Sequence, residues 1–490
     1  MSFVSIIFFI FLPVVLLLYF ILPKKLTPIL LLVASYYFYM SSEPYLIFII
    51  VGVTLVSYFA SFAISKMKNQ KGKKAVLISS IIIILAVLIF FKYFNFLLKS
   101  ATDFLNLFSM HIESKALDII LPIGISFYTF QTLSYVIDVY QEQYPAEKNI
   151  VYYALYVSFF PQLIAGPIER ADALIPQLKE EHKFNKDNFF TGLKMMLVGY
   201  FCKCVVADTI GLYVDSVFNS LSTATSLSVF AASLLFMIQL FCDFFGYSEI
   251  ARGIAKIMGI NLSKNFDHPF SSSSFTEFWS RWHMTLSRWF NDYIYLPLSY
   301  KSMGSKHPVF RHILNTFIVF ALSGLWHGAN WTYVLWGLFS ALIISIESLT
   351  KNVKNKFYSK HPDLRKSFRI RVLQFVKLML ILSISSILFR SQSIGEIGLA
   401  FSRLFTGFTS NYFVDTYNAL GLSLLTTIEV ILVIVGFIVI SWWGEYQDND
   451  NSIKGITNVV SYGFVALLVI ICLLNIFHSK NMEAFIYFQF

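Results

Sequence analysis

The sequence predicts an all-α polytopic membrane protein, on three observations. Of its 490 residues, 57% are hydrophobic and only 13% are charged, whereas an average soluble domain carries roughly 25% charged residues. Apolar runs recur along the whole chain at lengths near the ~20 residues a helix needs to cross a bilayer. Lysine and arginine gather in short loops between these runs, the pattern of cytoplasmic loops. Together these exclude a water-soluble core and make the lipid bilayer the expected surroundings. The net charge of +10 follows from the basic loops, so no nucleic-acid partner is expected.

In chain order the runs lie near 3–22, 28–40, 45–65, 75–98, 119–138, 150–165, 190–207, 228–246, 309–325, 330–349, 372–389, 425–443 and 457–477. The first has no basic stretch before it and no cleavage site after it, and Lys24 and Lys25 follow it. It reads as a retained helix rather than a removed signal. The runs near 28–40, 150–165 and 309–325 are short, and tilted, broken or re-entrant segments are expected there. Residues 66–74 hold Lys66, Lys68, Lys71, Lys73 and Lys74 and are expected in the cytoplasm, as is the basic stretch 351–371. Counting back through three runs places the N-terminus outside.

Seven runs separate the two basic loops, an odd number that two cytoplasmic loops do not allow. Either one run fails to cross, or a further segment enters the membrane. The favoured segment is 270–300, which mixes Trp, Arg, His and Pro and is too polar to face lipid. The acidic stretch 445–451 is expected outside. No repeat, long linker or soluble domain is visible, so residues 1–490 are expected to form a single domain.

The chemistry-bearing candidate is His327, in LWHGANW (325–331) between two apolar runs. An ionisable group at membrane depth is costly and marks a functional site by default. Imidazole also moves protons near neutral pH. Gly324 and Gly328 flank it, and glycines let a backbone or ligand approach closely. Trp331 and Trp336, read as lying on one helical face, fit plain packing. His283 lies in FWSRWHMTLSRW (278–289) among Arg281, Arg288 and three tryptophans. If that stretch is one helix, residues 281, 285 and 288 share a face. It is then either an interfacial helix with snorkelling arginines or a wall for an anionic donor.

Asp243 ends a strong apolar run and is expected to pair with Arg281 or His283, unless it is an interfacial carboxylate. In LPIGISFYTFQ (121–131), Pro122 and Gly124 open a run whose Ser126, Thr129 and Gln131 suit hydrogen bonding between helices. In FFPQLIAGPIER (159–170), Pro161 and Pro167 disfavour a continuous helix, and the adjacent Glu169 and Arg170 need separate partners. Cys202 and Cys204 form a lone C-x-C with no second half, and Cys242 and Cys472 stand apart. All four read as small helix residues, with no metal or disulfide expected. No soluble-enzyme signature is present. The residues alone therefore reach intramembrane histidine chemistry or transport, and no further.

Taken together, these stretches resemble the membrane-bound O-acyltransferase family, in its bacterial alginate O-acetyltransferase-like branch. The resemblance runs from Phe11-Leu12-Pro13 through residues 121–131, 159–170, 243–253, 278–298 and 322–337 to FIYFQF (485–490). It implies a helical bundle of roughly 11 spans plus re-entrant segments, enclosing a tunnel. It implies His327 as catalytic histidine and His283 as the second one. Asp243, Arg281, Trp326 and Asn330 are expected at the substrate. Two departures bear on the acceptor. Leu296-Pro297-Leu298 runs into Ser299-Tyr300 instead of paired glycines, and Asn291 stands where many relatives carry Arg.

The expected activity is transfer of an acetyl group from cytoplasmic acetyl-CoA across a bacterial cytoplasmic membrane, for O-acetylation of an exported or cell-wall polysaccharide. No tightly bound cofactor is expected. An exported acetyltransferase- or esterase-like partner would complete delivery. The alternatives are D-alanyl transfer from a carrier protein to teichoic acid and, from another class, a transporter or flippase with His327 as a gate.

The topology is testable by labelling. Cysteines introduced at Gln70 and Ser359 should resist a membrane-impermeant thiol reagent in intact cells, and one at Asn449 should react. Labelling at Ser359 with Gln70 protected would overturn the assigned sidedness.

Overall fold

The computed structural model describes residues 1–41, 43–113, 115–422 and 430–431, without the side chains of 365 and 366. Every regular element among them is helical. Seven described helices are long and apolar enough to cross a membrane: Pro44–Lys66, Gln70–Asn106, Lys186–Phe218, Ser226–Ile257, Pro308–His327, Trp331–Lys360 and Phe368–Arg390. Two shorter apolar helices are Ile6–Ile21 and Thr27–Met40. The expected span 457–477, the acidic stretch 445–451 and Cys472 lie outside the described residues, as does 425–443 apart from 430–431. The chain divides into two compact units: Met1–Met196 with Ser248–Ser263, and Leu197–Tyr247 with everything from Lys264 on.

In the first unit, helix ends carry the signals expected of them. The Ser5 hydroxyl accepts the Phe8 N–H at 3.3 Å and starts the first helix. Gly124, at φ +73°, caps Ile125–Tyr140, and the Leu163 carbonyl lies 2.5 Å from where a Cβ would sit. Only glycine fits that turn. The polar residues of this helix act as ties between elements: Gln131 Nε2 donates to the Tyr156 carbonyl at 2.7 Å. The Tyr153 hydroxyl donates to Ser57 Oγ at 2.7 Å. Glu169 accepts from Ser263 N and Oγ at 2.5 and 3.0 Å.

The run 150–165 breaks. Ile150–Ser158 is a nine-residue helix that ends at Phe159. Nine residues reach roughly 13 Å, well short of the ~30 Å hydrocarbon core. This run is therefore too short to cross as one helix. A re-entrant segment returns to its own side, so 270–300 could not have corrected the parity.

In the second unit, Pro308–His327 is one unbroken 20-residue helix, so the expectation of a broken run at 309–325 is corrected. It packs on Trp331–Lys360 through glycines. A Cβ at Gly324 would collide with the Tyr333 carbonyl, and one at Gly337 with the Phe320 carbonyl. In lipid no hydrophobic force drives helices together, so small residues that permit close packing carry the association.

The segment 275–301 is neither a span nor a single helix. It comprises Phe275–Arg281, Met284–Phe290, a wide π turn Asn291–Tyr295 and Leu296–Lys301. The first break falls at His283, whose φ of +44° lies in the left-handed region. Arg281, Thr285 and Arg288 therefore do not share a helix face.

Overpacking the glycine contact should unfold this unit selectively. Gly324→Leu should lower the melting temperature and folded yield in detergent, because added core volume typically costs about 1–3 kcal/mol. Gly398→Leu, with nothing within 4 Å of its Cβ position, should melt like the parent. Equal melting of both variants would refute the packing argument.

Candidate active site

The site is built in the second unit from the ends of three helices, residues 236–240 of Ser226–Ile257 and the segment around 275–290. His327 is the last residue of its helix, with 3% of its surface exposed. Gly328 leaves the helix extended because a Cβ there would strike the Tyr333 ring. The next helix starts at once. Asn330 Oδ1 accepts the Thr332 N–H at 3.1 Å, and its Nδ2 donates to the Gln392 carbonyl at 2.7 Å. Asn330 is thus a capping residue that fixes the turn beyond His327.

Aromatic rings surround the imidazole. Trp336 and Phe389 meet it edge-to-face, with centroids 5.0 and 5.4 Å away. The Trp336 indole N–H is held by Ser385 Oγ at 2.8 Å. Trp336 is buried, whereas Trp331 is half exposed, so the two do not share a face. His327 opens on a narrow cleft whose other walls include Phe236, Leu240, Phe278, Trp279, Trp282 and Ser386.

His283 is fully buried. Its ring packs against Phe244 at 4.6 Å and Trp326 at 5.8 Å, and Trp326 lies 4.9 Å from His327. One indole therefore contacts both imidazoles. Neither ring nitrogen of His283 meets a hydrogen-bond partner from another described residue. The strained turn at His283 is held by Asn265, whose carbonyl accepts the Met284 N–H at 2.8 Å and whose Oδ1 accepts the Thr285 hydroxyl at 2.6 Å.

At the other end of this segment, Glu347 accepts N–H groups of Phe275 and Thr276 at 3.2 and 2.9 Å and the Thr276 hydroxyl at 2.8 Å. Lys377 pairs with the same carboxylate at 2.8 Å. A carboxylate suits the N-terminus of a helix, where N–H groups lack partners.

The charged candidates fall elsewhere. Asp243 pairs with Lys203 at 2.8 Å, and Lys203 also pairs with Asp208 at 2.6 Å. The expected pairing of Asp243 with Arg281 or His283 is therefore corrected. Lys203 reaches Asp243 because Gly246, one turn on, lets the backbone of residues 199–203 approach closely. The sequence signal for Lys203 was a lysine deep in the apolar run 190–207, which also holds Lys194.

Arg281 instead pairs with Glu277 at 2.8 Å and donates to Ser271 Oγ at 3.1 Å. Burial alone would raise the Glu277 carboxyl. Hydrogen bonds from Ser273 and the Arg281 guanidinium outweigh it and hold its pKa below the usual carboxylate value. Arg288 is exposed, and neither arginine lines the cleft. No cluster of His, Cys, Asp and Glu fit to hold a metal occurs among the described residues.

The family model of membrane-bound O-acyltransferases matches residues 145–391, a stretch that contains both histidines. The chain is 33% identical over 401 residues to the probable alginate O-acetylase AlgI of Pseudomonas aeruginosa, covering 81% of this chain and 72% of that protein. It is 32% identical over 342 residues to the peptidoglycan O-acetyltransferase of Helicobacter pylori, covering 64% of this chain and 63% of that one. With the teichoic acid D-alanyltransferase of Bacillus subtilis it shares 30% identity over 251 residues, covering 48% of this chain and 61% of the other.

Removing the cation from the buried cluster should destabilise the fold. Lys203→Met leaves two carboxylates without their lysine, a change that typically costs about 3–5 kcal/mol. Thermal melting in detergent should show a large drop, and adding Asp243→Asn and Asp208→Asn should recover much of it. A single variant that melts like the parent would show that the cluster carries no stability.

Proposed function

The chain belongs to the membrane-bound O-acyltransferase family, in its alginate O-acetylase-like branch, and on that premise we propose how this multi-pass enzyme works. It takes an acetyl group from cytoplasmic acetyl-CoA and passes it across the cytoplasmic membrane for O-acetylation of an exported or cell-wall polysaccharide. Residues 1–490 act as one membrane domain in this reading. An exported acetyltransferase- or esterase-like partner receives the group for the final glycan.

The observation that carries this reading is the place of His327. It is a buried imidazole at a helix end, opening on a cleft walled by aromatic rings. In such surroundings the neutral imidazole acts as general base. It takes the proton of an acceptor hydroxyl while the oxygen attacks the thioester carbonyl, and then returns it to the leaving thiolate. His283 acts with it through Trp326, whose indole both imidazoles contact. Asp243 and Asn330 act at one remove, Asp243 by holding helix Ser226–Ile257 against Lys203, and Asn330 by fixing the turn after His327. Arg281 serves donor binding at the edge of the segment.

His327→Ala should lower acetyl transfer by about 10²–10⁴-fold, the usual worth of a general base, at unchanged expression. The check is glycan acetyl content in cells at matched protein level, where near-parental acetylation would sink the assignment. Donor identity is checked by offering the purified chain radiolabelled acetyl-CoA and, separately, a D-alanyl carrier protein. Labelling from acetyl-CoA is expected, and labelling from the carrier alone would move the chain to teichoic-acid chemistry.

A further inference from the structure

Two hydrogen-bond donors in the cleft are unused. Trp279 and Ser386 line it together with His327. They are 8% and 1% exposed. Neither the Trp279 indole N–H nor the Ser386 hydroxyl meets a partner among the described residues. Buried polar groups in folded proteins are hydrogen-bonded in the great majority of cases, and an exception calls for an explanation such as a catalytic role.

Two neighbouring groups of the same kind are satisfied. Trp336 Nε1 donates to Ser385 Oγ at 2.8 Å. Just past the helix that carries Ser386, at its C-cap, the Ser391 hydroxyl donates to the Ile387 carbonyl four residues back at 2.7 Å. That back-bond is the ordinary resting place of a helical serine, and Ser386 does not take it. Other donors are placed less well for the cleft. The Asn330 amide is engaged by Gln392 and, like His283, lies outside the cleft lining.

Resting on the reading of His327 as general base, we propose that Trp279 Nε1–H and the Ser386 hydroxyl form the oxyanion hole for an acyl thioester. As the acceptor oxygen bonds to the carbonyl carbon, its proton passes to His327 and the carbonyl π pair moves onto oxygen. The two donors hold that oxygen. Collapse restores the carbonyl and breaks the C–S bond. The thiolate leaves and takes the proton from His327, so the products are an ester and a free thiol. The surrounding Phe, Trp and Leu walls exclude water, which strengthens both hydrogen bonds as charge develops.

Trp279→Phe and Ser386→Ala remove one donor each and nearly conserve shape. Both variants and His327→Ala are compared with the parent as full-length chains in nanodiscs, with acetyl-CoA as the probe and melting temperature as the folding control. Each donor variant should lose about 10²-fold in kcat, within the usual range for one oxyanion-hole donor, with KM and melting temperature near parental. A mere packing role would move melting temperature or KM and leave kcat. A parental kcat in either donor variant, with His327→Ala inactive, overturns the paired hole and leaves the general-base reading standing. An active His327→Ala, or a parental chain silent on acetyl-CoA, overturns that reading and the proposal with it. If Trp279→Phe does not fold, Ser386→Ala alone decides, since the paired hole requires its loss in kcat.

Discussion

The carbonyl of Tyr333 occupies the place a side chain at Gly324 would need, and the carbonyl of Phe320 does the same at Gly337. This reciprocal contact brings helices Pro308–His327 and Trp331–Lys360 to backbone distance. The connection between them is then only three residues long, held by the Asn330 cap. His327 and Trp336 are thereby pressed into one cleft, with their rings 5.0 Å apart. Nothing bulkier than glycine at either position leaves that geometry intact.

Around this contact, the polar groups follow the rule that hydrocarbon offers no hydrogen bonds. Lys203 answers Asp243 and Asp208, Glu347 answers Lys377 and the free N–H groups of Phe275 and Thr276, and Asn265 answers Met284 and Thr285. Such buried pairs carry little net stability because desolvation offsets the attraction, yet losing one partner is costly. They act chiefly as fixers of position. Of the buried groups left open among the described residues, the Trp279 indole N–H and the Ser386 hydroxyl line the cleft.

Much of this was legible in the sequence. Composition and run length gave the helical membrane fold, Pro122 with Gly124 gave a helix start, and Pro161 gave a break. His327 between glycines was legible because an ionisable residue in an apolar context stands out locally. The partner of Asp243 was not, since Lys203 is forty residues away and only the approach at Gly246 joins them. The break at His283 was hidden too, because no proline or glycine announces it: tertiary bonds from Asn265 hold a left-handed backbone that is uncommon outside glycine. Trp279 and Ser386 carry no local mark at all, for a tryptophan among tryptophans or a serine on an apolar helix reads as packing until its neighbours are known.

The segment carrying Trp279, Trp282 and His283 is stapled at both ends, to Glu347 near its start and to Asn265 at its finish. Its main chain is a bracket, not a flap. Access to His327 is then governed by side-chain rotation, above all of the indoles, whose reorientation changes the aperture without breaking a backbone hydrogen bond. Such rotations are fast beside domain motion. An aperture made this way admits by cross-section.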